Sequence, residues 1–326
     1  MLRRTIAIAL TLVLACVCTA GSSAPPGDDF PSRPLRLVCP WPAGGLADLR
    51  SRQVGDRLSK ALGQPVVVEN RPGASGTVGV TAVTLAKPDG YTIVLGSIND
   101  LAIAPALDGA AYGRLLAGLQ PLTLTGRGPM ILIASPGVPA KTVAELIALA
   151  RSKPGQLSYG TAGPNTTHHF AGELFKRTTG TDLIHVPYKG IAQMSVDLAA
   201  GNVAVGFDFA ATTEPLVKAG RIRALAVLGP RRVSLLPDVP TAREAGIGEV
   251  EIMSWGGFFV PAGTPQPIVA RLHDELVRIR RAPDMVQILT AVGYEVMATT
   301  PDESLKFVRE EQARWARLAK ELGISQ

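Results

Sequence analysis

The sequence Leu35-Arg36-Leu37-Val38-Cys39-Pro40-Trp41-Pro42-Ala43-Gly44-Gly45-Leu46-Ala47-Asp48 joins an apolar run to the start of a helical pattern. Leu35–Cys39 has the composition of a short buried strand. From Ala47 to Leu62 apolar residues recur near one helical face, and Gly63 supplies a stop. The glycines between strand and helix let the backbone turn tightly and approach a ligand closely. Because the first N–H groups of a helix are free, this loop favours an anion.

A second segment farther along the chain has the same design and reads Gly160-Thr161-Ala162-Gly163-Pro164-Asn165-Thr166-Thr167-His168. One such loop is a weak signal, because tight turns often contain glycine and hydroxyl residues for local reasons. Thr166 and Thr167 have the alternative role of capping the helix. Two such loops favour a ligand site, since open α/β sheets bind ligands outside the carboxyl ends of their strands.

Short β-rich runs alternate with helical segments along the chain, which predicts an α/β fold with parallel sheets. The predicted strands are Leu35–Cys39, Val66–Glu69, Thr92–Gly96, Met130–Ala134, Leu157–Tyr159, Leu183–Val186, Val203–Phe207, Ile222–Leu228 and Ile252–Val260. The clearest predicted helices are Ala47–Leu62, one opened by the capping-box pattern Thr142-Val143-Ala144-Glu145, Ala270–Ile279 and Pro301–Leu322.

The length of the chain predicts more than one core, because about 300 residues exceed what a single core comfortably serves. We expect lobe 1 to comprise residues 31–128 and 251–326, with lobe 2, residues 129–250, inserted between them. The predicted crossings are loops near Gly126–Pro129 and Gly248–Ser254. Two chain crossings at these points would form a hinge.

The N-terminal residues have the pattern of a secretory signal: Arg3 and Arg4, an apolar run from Ile6 to Cys16, and a small-residue site at Cys18-Thr19-Ala20. We therefore expect a cleaved signal peptide over residues 1–20, a flexible lead-in over residues 21–30, and a periplasmic mature protein. A membrane anchor is disfavoured because about 20 apolar residues are needed to span a bilayer. A lipid anchor on Cys16 or Cys18 is the remaining alternative.

Charge and motifs disfavour several classes of function. The formal net charge is +6, with basic pairs scattered along the chain, so nucleic-acid binding is not expected. Cleavage would leave Cys39 as a lone cysteine, for which burial is favoured over catalysis. The hydrolase elbow Gly-x-Ser-x-Gly fails at Thr77, and no phosphate loop or dinucleotide fingerprint is present. A metal at His168-His169 is disfavoured because adjacent helical residues point to different faces.

The chain resembles the solute-binding receptors of tripartite tricarboxylate transporters, the Bug-type proteins. The resemblance extends from about Pro31 to the C-terminus and rests on an ordered set of motifs. They are Trp41-Pro42-Ala43-Gly44-Gly45 with Asp48, Gly63-Gln64-Pro65-Val66-Val67-Val68-Glu69-Asn70-Arg71-Pro72-Gly73-Ala74, Lys87-Pro88-Asp89-Gly90-Tyr91-Thr92, Pro139-Ala140-Lys141-Thr142, His185-Val186-Pro187-Tyr188-Lys189-Gly190, Phe207-Asp208, Leu236-Pro237-Asp238-Val239-Pro240-Thr241 and Pro261-Ala262-Gly263-Thr264-Pro265.

This resemblance implies a two-lobed periplasmic binding protein of type II (Venus-flytrap), with parallel-dominated sheets flanked by helices and a two-strand hinge. Two loops would pinch the carboxylate of a small ligand, without a metal or cofactor. The expected ligand-binding residues are Trp41, Ala43, Gly44, Gly45 and Asp48 in the first loop, Asn165, Thr166, Thr167 and His168 in the second, and Asp208 at a strand end.

The resemblance also implies a partner: a monomeric receptor would deliver its ligand to the membrane subunits of a tripartite tricarboxylate transporter. The same binding chemistry fits a receptor that reports to a membrane sensor kinase, and an exported hydrolase is the enzymatic alternative. The chain departs from the family pattern at Ser97-Ile98-Asn99-Asp100-Leu101, which lacks an expected histidine. The ligand therefore stays open among dicarboxylates, tricarboxylates, acidic amino acids and aromatic acids.

Overall fold

The computed structural model describes residues 30–248 and 250–324, so the predicted signal peptide and all but the last residue of the lead-in lie outside the described residues. The strands are β1 Leu35–Cys39, β2 Val66–Asn70, β3 Thr92–Ser97, β4 Leu119–Ala134, β5 Ser158–Thr161, β6 Ile184–Pro187, β7 Val205–Phe209, β8 Arg223–Leu228 and β9 Met253–Pro261. The helices are α1 Leu46–Leu62, α2 Thr77–Thr84, α3 Ala104–Leu107, α4 Gly109–Tyr112, α5 Val143–Ser152, α6 Thr167–Thr179, α7 Ile191–Ala200, α8 Ala210–Lys218, α9 Gln266–Arg281, α10 Pro283–Ala291 and α11 Pro301–Leu322. A π-helical turn, Asn99–Ile103, follows β3.

The strands form one sheet in the order β2-β1-β3-β9-β4-β7-β5-β6, and β8 also pairs with β4. Parallel pairs lie toward the two ends of the sheet, where β1 joins β2 and β3, and β5 joins β6 and β7. Pairs that contain β4 or β9 are antiparallel. The predicted α/β class is confirmed, and the parallel strands expected from it lie away from the two central strands.

Strands β4 and β9 connect the two halves of the sheet. The first part of β4, Leu119–Pro129, pairs with β9, whereas Met130–Ala134 pairs with β7 and β8. The prediction of a loop at Gly126–Pro129 is therefore wrong, because the backbone continues through these residues as a strand. That the chain crosses between lobes there stays a prediction. Position 128 requires glycine because of close packing and not because of a turn. A Cβ there would lie 2.1 Å from a ring carbon of Tyr294.

The helix ends follow the local signals in the sequence. Thr142 and Glu145 form the predicted capping box at the start of α5, with each side chain bonded to the other residue's backbone N–H. Gly63, in the left-handed conformation, ends α1 as expected. No helix of the described ranges is both long and apolar enough to cross a membrane.

The last helix, α11, packs against both halves of the structure. Its buried Trp315 meets Phe170 of α6 edge-on, with ring centroids 5.0 Å apart. Glu311, also buried, accepts hydrogen bonds from the indole N–H groups of Trp255 in β9 (2.9 Å) and Trp315 (3.0 Å). Both indole donors are thereby satisfied in the interior, so α11 fixes α6 relative to the strand β9.

Candidate functional site

A cavity of about 190 Å³ lies between the β1–α1 loop, the end of β3, the start of α6 and the end of β7. Six of the ten site residues expected from the sequence line it: Trp41, Ala43, Gly45, Thr167, His168 and Asp208. The other four, Gly44, Asp48, Asn165 and Thr166, belong to the same two loops but do not line the cavity. The structure thus brings both predicted loops and the predicted strand-end aspartate to one cleft.

The first loop is held in shape by Asp48. Its carboxylate accepts hydrogen bonds from the Gly44 N–H (2.9 Å), from Arg52 Nε (3.1 Å) and from Asn70 Nδ2 (2.9 Å). Gly44 has φ +82°, a conformation that suits glycine. Asn70 also donates to the backbone oxygen of Trp41 at 3.0 Å. Asp48 is buried behind the loop, where these bonds position the loop backbone.

These contacts also control the ionisation of Asp48. Burial by itself would raise the pKa of the carboxyl, but the hydrogen bonds from Arg52, the Gly44 N–H and Asn70, with the charge of Arg52, lower it below its usual value. Asp48 is therefore a fixed anion whose charge is matched by Arg52, and its oxygens are engaged by the protein itself.

The N-terminus of α1 presents backbone donors to the cleft. The helix starts at Leu46, and its N-cap residue, Gly45, provides no side-chain cap. The N–H groups of Leu46, Ala47 and Asp48 fall in the first turn, where an α-helix has no internal acceptor for them. Gly45, Leu46 and Ala47 line the cavity, so these donors and the positive end of the helix dipole favour an anion there.

The polar groups of the second loop bond mainly to other residues of the same loop and of the first turn of α6. Asn165 has φ +59°, and its N–H donates to His169 Nδ1 at 3.3 Å. The Thr166 hydroxyl donates to the Gly163 carbonyl (2.7 Å) and accepts from the His169 N–H (3.4 Å). Thr166 is thus the N-cap of α6, which is the local role that the sequence left open for it.

Thr167 bonds to a residue from the other half of the protein. Its N–H and its hydroxyl donate to Asn99 Oδ1 at 2.9 and 2.6 Å. Asn99 is in the π-helical turn after β3, and both residues line the cavity. The donors of Thr167 are therefore already used within the protein. Asn99 was not among the expected site residues, and its only sequence signal was the departure from the family pattern after β3.

His168 is the unpartnered polar group of the site. The side chain is 7% exposed and lines the cavity, yet Nδ1 and Nε2 both lack a hydrogen-bond partner. Burial lowers its pKa to about 4, so the imidazole is neutral at pH 7 and offers one donor and one acceptor. Because buried polar groups are almost always paired, the unpartnered N–H of the neutral imidazole makes His168 a candidate donor to a group bound in the cavity.

Asp208, at the end of β7, is a second polar group of the cleft wall. Its oxygens accept from the Phe209 N–H (2.7 Å) and from the Thr212 hydroxyl (2.8 Å). Burial raises its pKa to about 7, against the smaller lowering by these two bonds. Near neutral pH the carboxyl is therefore partly protonated, and its charge does not exclude an anion from the cleft.

Two cationic side chains that sequence reasoning missed also line the cleft. They are Arg50, in the first turns of α1, and Arg280, in the last turn of α9. Neither belongs to one of the motifs singled out in the sequence, and Arg280 is far along the chain from both loops. Among residues 30–248 and 250–324 no cluster of side chains that could hold a metal ion occurs.

Comparisons with known proteins agree with this architecture. Residues 50–324 match the family model of the tripartite tricarboxylate transporter family receptor. Protein BugT of Bordetella pertussis is 32% identical over 316 residues, covering 96% of this chain and 97% of that protein. Among solved structures, Rpa4515 of R. palustris with adipate has a TM-score of 0.87 and 35% identity, covering 91% of this chain and 99% of that chain.

MatC of Rhodopseudomonas palustris, with bound malate, is similar in the same way, with a TM-score of 0.82 and 32% identity over 89% of this chain and 99% of that chain. These similarities span both halves of the sheet and the last helix, so they concern the whole two-lobed fold. The chain belongs to the tripartite tricarboxylate transporter receptor family, the Bug-type solute-binding proteins.

Proposed function

We propose that the cleft captures a small carboxylate, which the receptor delivers to the membrane subunits of a tripartite tricarboxylate transporter. The observation that carries this proposal is His168, whose two ring nitrogens are buried and unpartnered in the cleft. The first turn of α1 supplies the complementary feature, a set of N–H groups without a side-chain cap. A carboxylate oxygen accepts from both kinds of donor, and the ligand thereby satisfies groups that the protein leaves open.

The ten expected site residues fall into two groups, those that line the cleft and those whose polar groups are bonded within the loops. Ala43, Gly45, His168 and Asp208 face the ligand, and Trp41 and Thr167 form the adjoining wall. Gly44, Asp48, Asn165 and Thr166 shape the two loops, because their polar groups are engaged within them. The adipate and malate bound to the two related receptors support a carboxylate as the ligand class.

The proposal includes movement of two lobes. We assign residues 31–128 and 251–326 to lobe 1 and residues 129–250 to lobe 2, with β4 and β9 as the connection. The last helix packs on both lobes and would limit how far they separate. Closure around a ligand is the usual response of such two-lobed receptors.

The cellular setting follows from the N-terminal sequence and the family. We propose export to the periplasm with removal of residues 1–20, and action as a monomer that binds its ligand without converting it. Incubation of the protein with each bound carboxylate, followed by mass spectrometry of the solution, tests the last point. Recovery of the unchanged carboxylate supports a receptor, whereas a new product indicates an enzyme.

A thermal-shift screen of the purified protein against a panel of small carboxylates and their neutral amides tests the ligand class. At a ligand concentration about 100 times the dissociation constant, linkage stabilises the folded state by about 2.7 kcal/mol, which raises the melting temperature by several degrees. We expect at least one carboxylate to produce this shift and its amide to produce far less. Equal shifts with the amides would exclude anion recognition.

A further inference from the structure

The guanidinium of Arg280 is buried at the first-lobe wall of the cleft. The residue is only 2% exposed, and its Nε and Nη2 atoms both donate to the carbonyl oxygen of Thr125, at 3.2 and 2.7 Å. Arg280 lies in the last turn of α9, where the negative end of the helix dipole favours a cation. These two interactions orient the guanidinium, but each supplies only a partial negative charge.

Arg280 has no ionic partner in the part of the chain that the structure describes, and the same holds for its neighbour Arg50. The Arg50 guanidinium carbon lies 3.9 Å from the ring centroid of Tyr294, a cation–π contact without a counter-charge. Burial, and to a smaller extent the positive charge of Arg50, lower the pKa of Arg280 to about 10. Two cations therefore lie close together on one wall of the cleft.

This arrangement is unfavourable without an anion. A buried charge is normally paired, because the protein interior does not replace its lost hydration, and a second like charge adds to the cost. Arg50, Arg280 and Tyr294 all line the cavity, so a ligand group in the cleft can reach them. The acidic residue of the cleft, Asp208, is engaged by the Phe209 N–H and the Thr212 hydroxyl.

We propose that Arg50 and Arg280 form a second anion subsite, so that the cleft selects dicarboxylates, with one carboxylate at the α1 N-terminus and His168 and the other at the two arginines. This inference rests on the proposed function, since it assigns the second end of the ligand that the cleft captures. Arginine is suited to this role because its planar guanidinium donates two parallel hydrogen bonds to a carboxylate. Arg280 is already oriented by Thr125, so little further ordering is needed when the anion binds.

Calorimetric titration of the purified protein with a length series of straight-chain α,ω-dicarboxylates, and with the monomethyl ester of each, tests the subsite. We expect the best dicarboxylate to bind about 10- to 100-fold more tightly than its half-ester, the range for a charge-assisted hydrogen bond at a desolvated site. Arg50→Gln should remove most of this difference by weakening the dicarboxylate while leaving the half-ester unchanged. Arg57→Gln, on the same helix but paired with Asp284, is the matched control and should preserve the difference.

Arg280→Lys is the second variant, because it keeps the charge and loses the planar pair of donors, and it too should reduce the preference for the dicarboxylate. Equal affinity of dicarboxylate and half-ester in the wild type would overturn the second subsite and leave carboxylate capture intact. An Arg50→Gln loss that is the same for both ligands would also overturn it, since the residue would then serve the first carboxylate. If no carboxylate of either kind binds, the proposed function itself fails.

Discussion

The side-chain oxygen of Asn99 accepts hydrogen bonds from both the N–H (2.9 Å) and the hydroxyl (2.6 Å) of Thr167. Asn99 follows β3 and Thr167 is the first residue of α6, so this bond joins the two sides of the cleft. Both residues are buried. The Asn99 side chain thereby links the two halves of the protein.

Asn99→Ala should weaken this link between the halves, because it removes the acceptor of both Thr167 hydrogen bonds. Two donors of Thr167 would lose their acceptor, which we expect to lower the free energy of unfolding by about 1–3 kcal/mol, as for unsatisfied buried groups. Small-angle scattering of the unliganded variant should show a larger radius of gyration than the wild type. Asn202→Ala, which removes an exposed bond to Asp197, serves as the control and should change neither quantity appreciably. An unchanged radius in Asn99→Ala would show that other contacts hold the halves together.

His168→Leu should separate stability from binding. The unliganded protein should be as stable as the wild type or more so, because a buried side chain with two open nitrogens is replaced by an apolar one. Carboxylate affinity should fall at least about tenfold, since a hydrogen bond to the ligand is lost. Urea unfolding and calorimetric titration of the same preparation measure the two effects.

The neighbouring variant His169→Leu provides the control for His168. His169 Nδ1 accepts from the Asn165 N–H and its ring stacks on His185, with centroids 4.4 Å apart, so its role is within the loop. Its replacement should lower stability, and any loss of affinity should be smaller than for His168→Leu. Normal binding by His168→Leu would place the ligand away from the imidazole.

Gly45→Val should block the cleft without straining the loop. Gly45 has φ −80° and ψ 171°, which a valine adopts readily, and a Cβ there would meet only the Pro42 carbonyl oxygen, at 3.6 Å. The melting temperature should therefore stay close to that of the wild type, whereas the added methyl groups occupy the space in front of the α1 N–H groups. We expect carboxylate affinity to fall by about 1–3 kcal/mol, measured by titration. Unchanged affinity would mean that the ligand does not approach the α1 N-terminus.

Asp208 should make stability depend on pH in a direction set by its burial. Its pKa in the folded protein is about 7, above the ordinary 3.8, so folding favours the protonated form. The stabilisation is fully present below about pH 4 and is lost as the pH rises through 7, with about 1.4 kcal/mol for each tenfold difference in proton affinity between the two states. Asp208→Asn has no carboxyl to ionise, so the variant should not lose this stabilisation as the pH rises.

The difference in unfolding free energy between Asp208→Asn and the wild type should therefore shift in favour of the variant from pH 4 to pH 8. Asp100, also buried with a pKa raised to about 7, is present in both proteins, so the difference isolates Asp208. Urea unfolding at a series of pH values measures it. A constant difference across the range would show that Asp208 ionises normally in the fold.

The fold could be predicted best where the signals are local. The bounds of β1 and α11 match the sequence prediction, and the capping box at Thr142 is present, because periodicity and capping act over a few residues. The first part of β4 was missed, and Gly126–Pro129 within it was predicted to be a loop. Pairing with β9, more than a hundred residues away, makes this segment a strand. Tertiary contacts override local preference there.

The same distinction applies to the site. The two loops were found from their own glycine and hydroxyl residues, and Asp208 from a family motif. Asn99, Arg50 and Arg280 also line the cavity, and they were missed because only the fold brings them together with the two loops. Asp48 and Thr166 look like ligand residues in the sequence, yet the structure engages them within their loops. Whether Asp48 and Thr166 also contact the ligand stays a prediction.

A crystal structure of the protein with the carboxylate that gives the largest thermal shift tests carboxylate capture most directly. We expect a ligand carboxylate within about 2.7–3.2 Å of the first N–H groups of α1 and of a ring nitrogen of His168. Soaking with the neutral amide of the same ligand should leave the cleft without it. A carboxylate bound outside the cleft, with His168 still unpartnered, would contradict the assignment of this cleft as the ligand site.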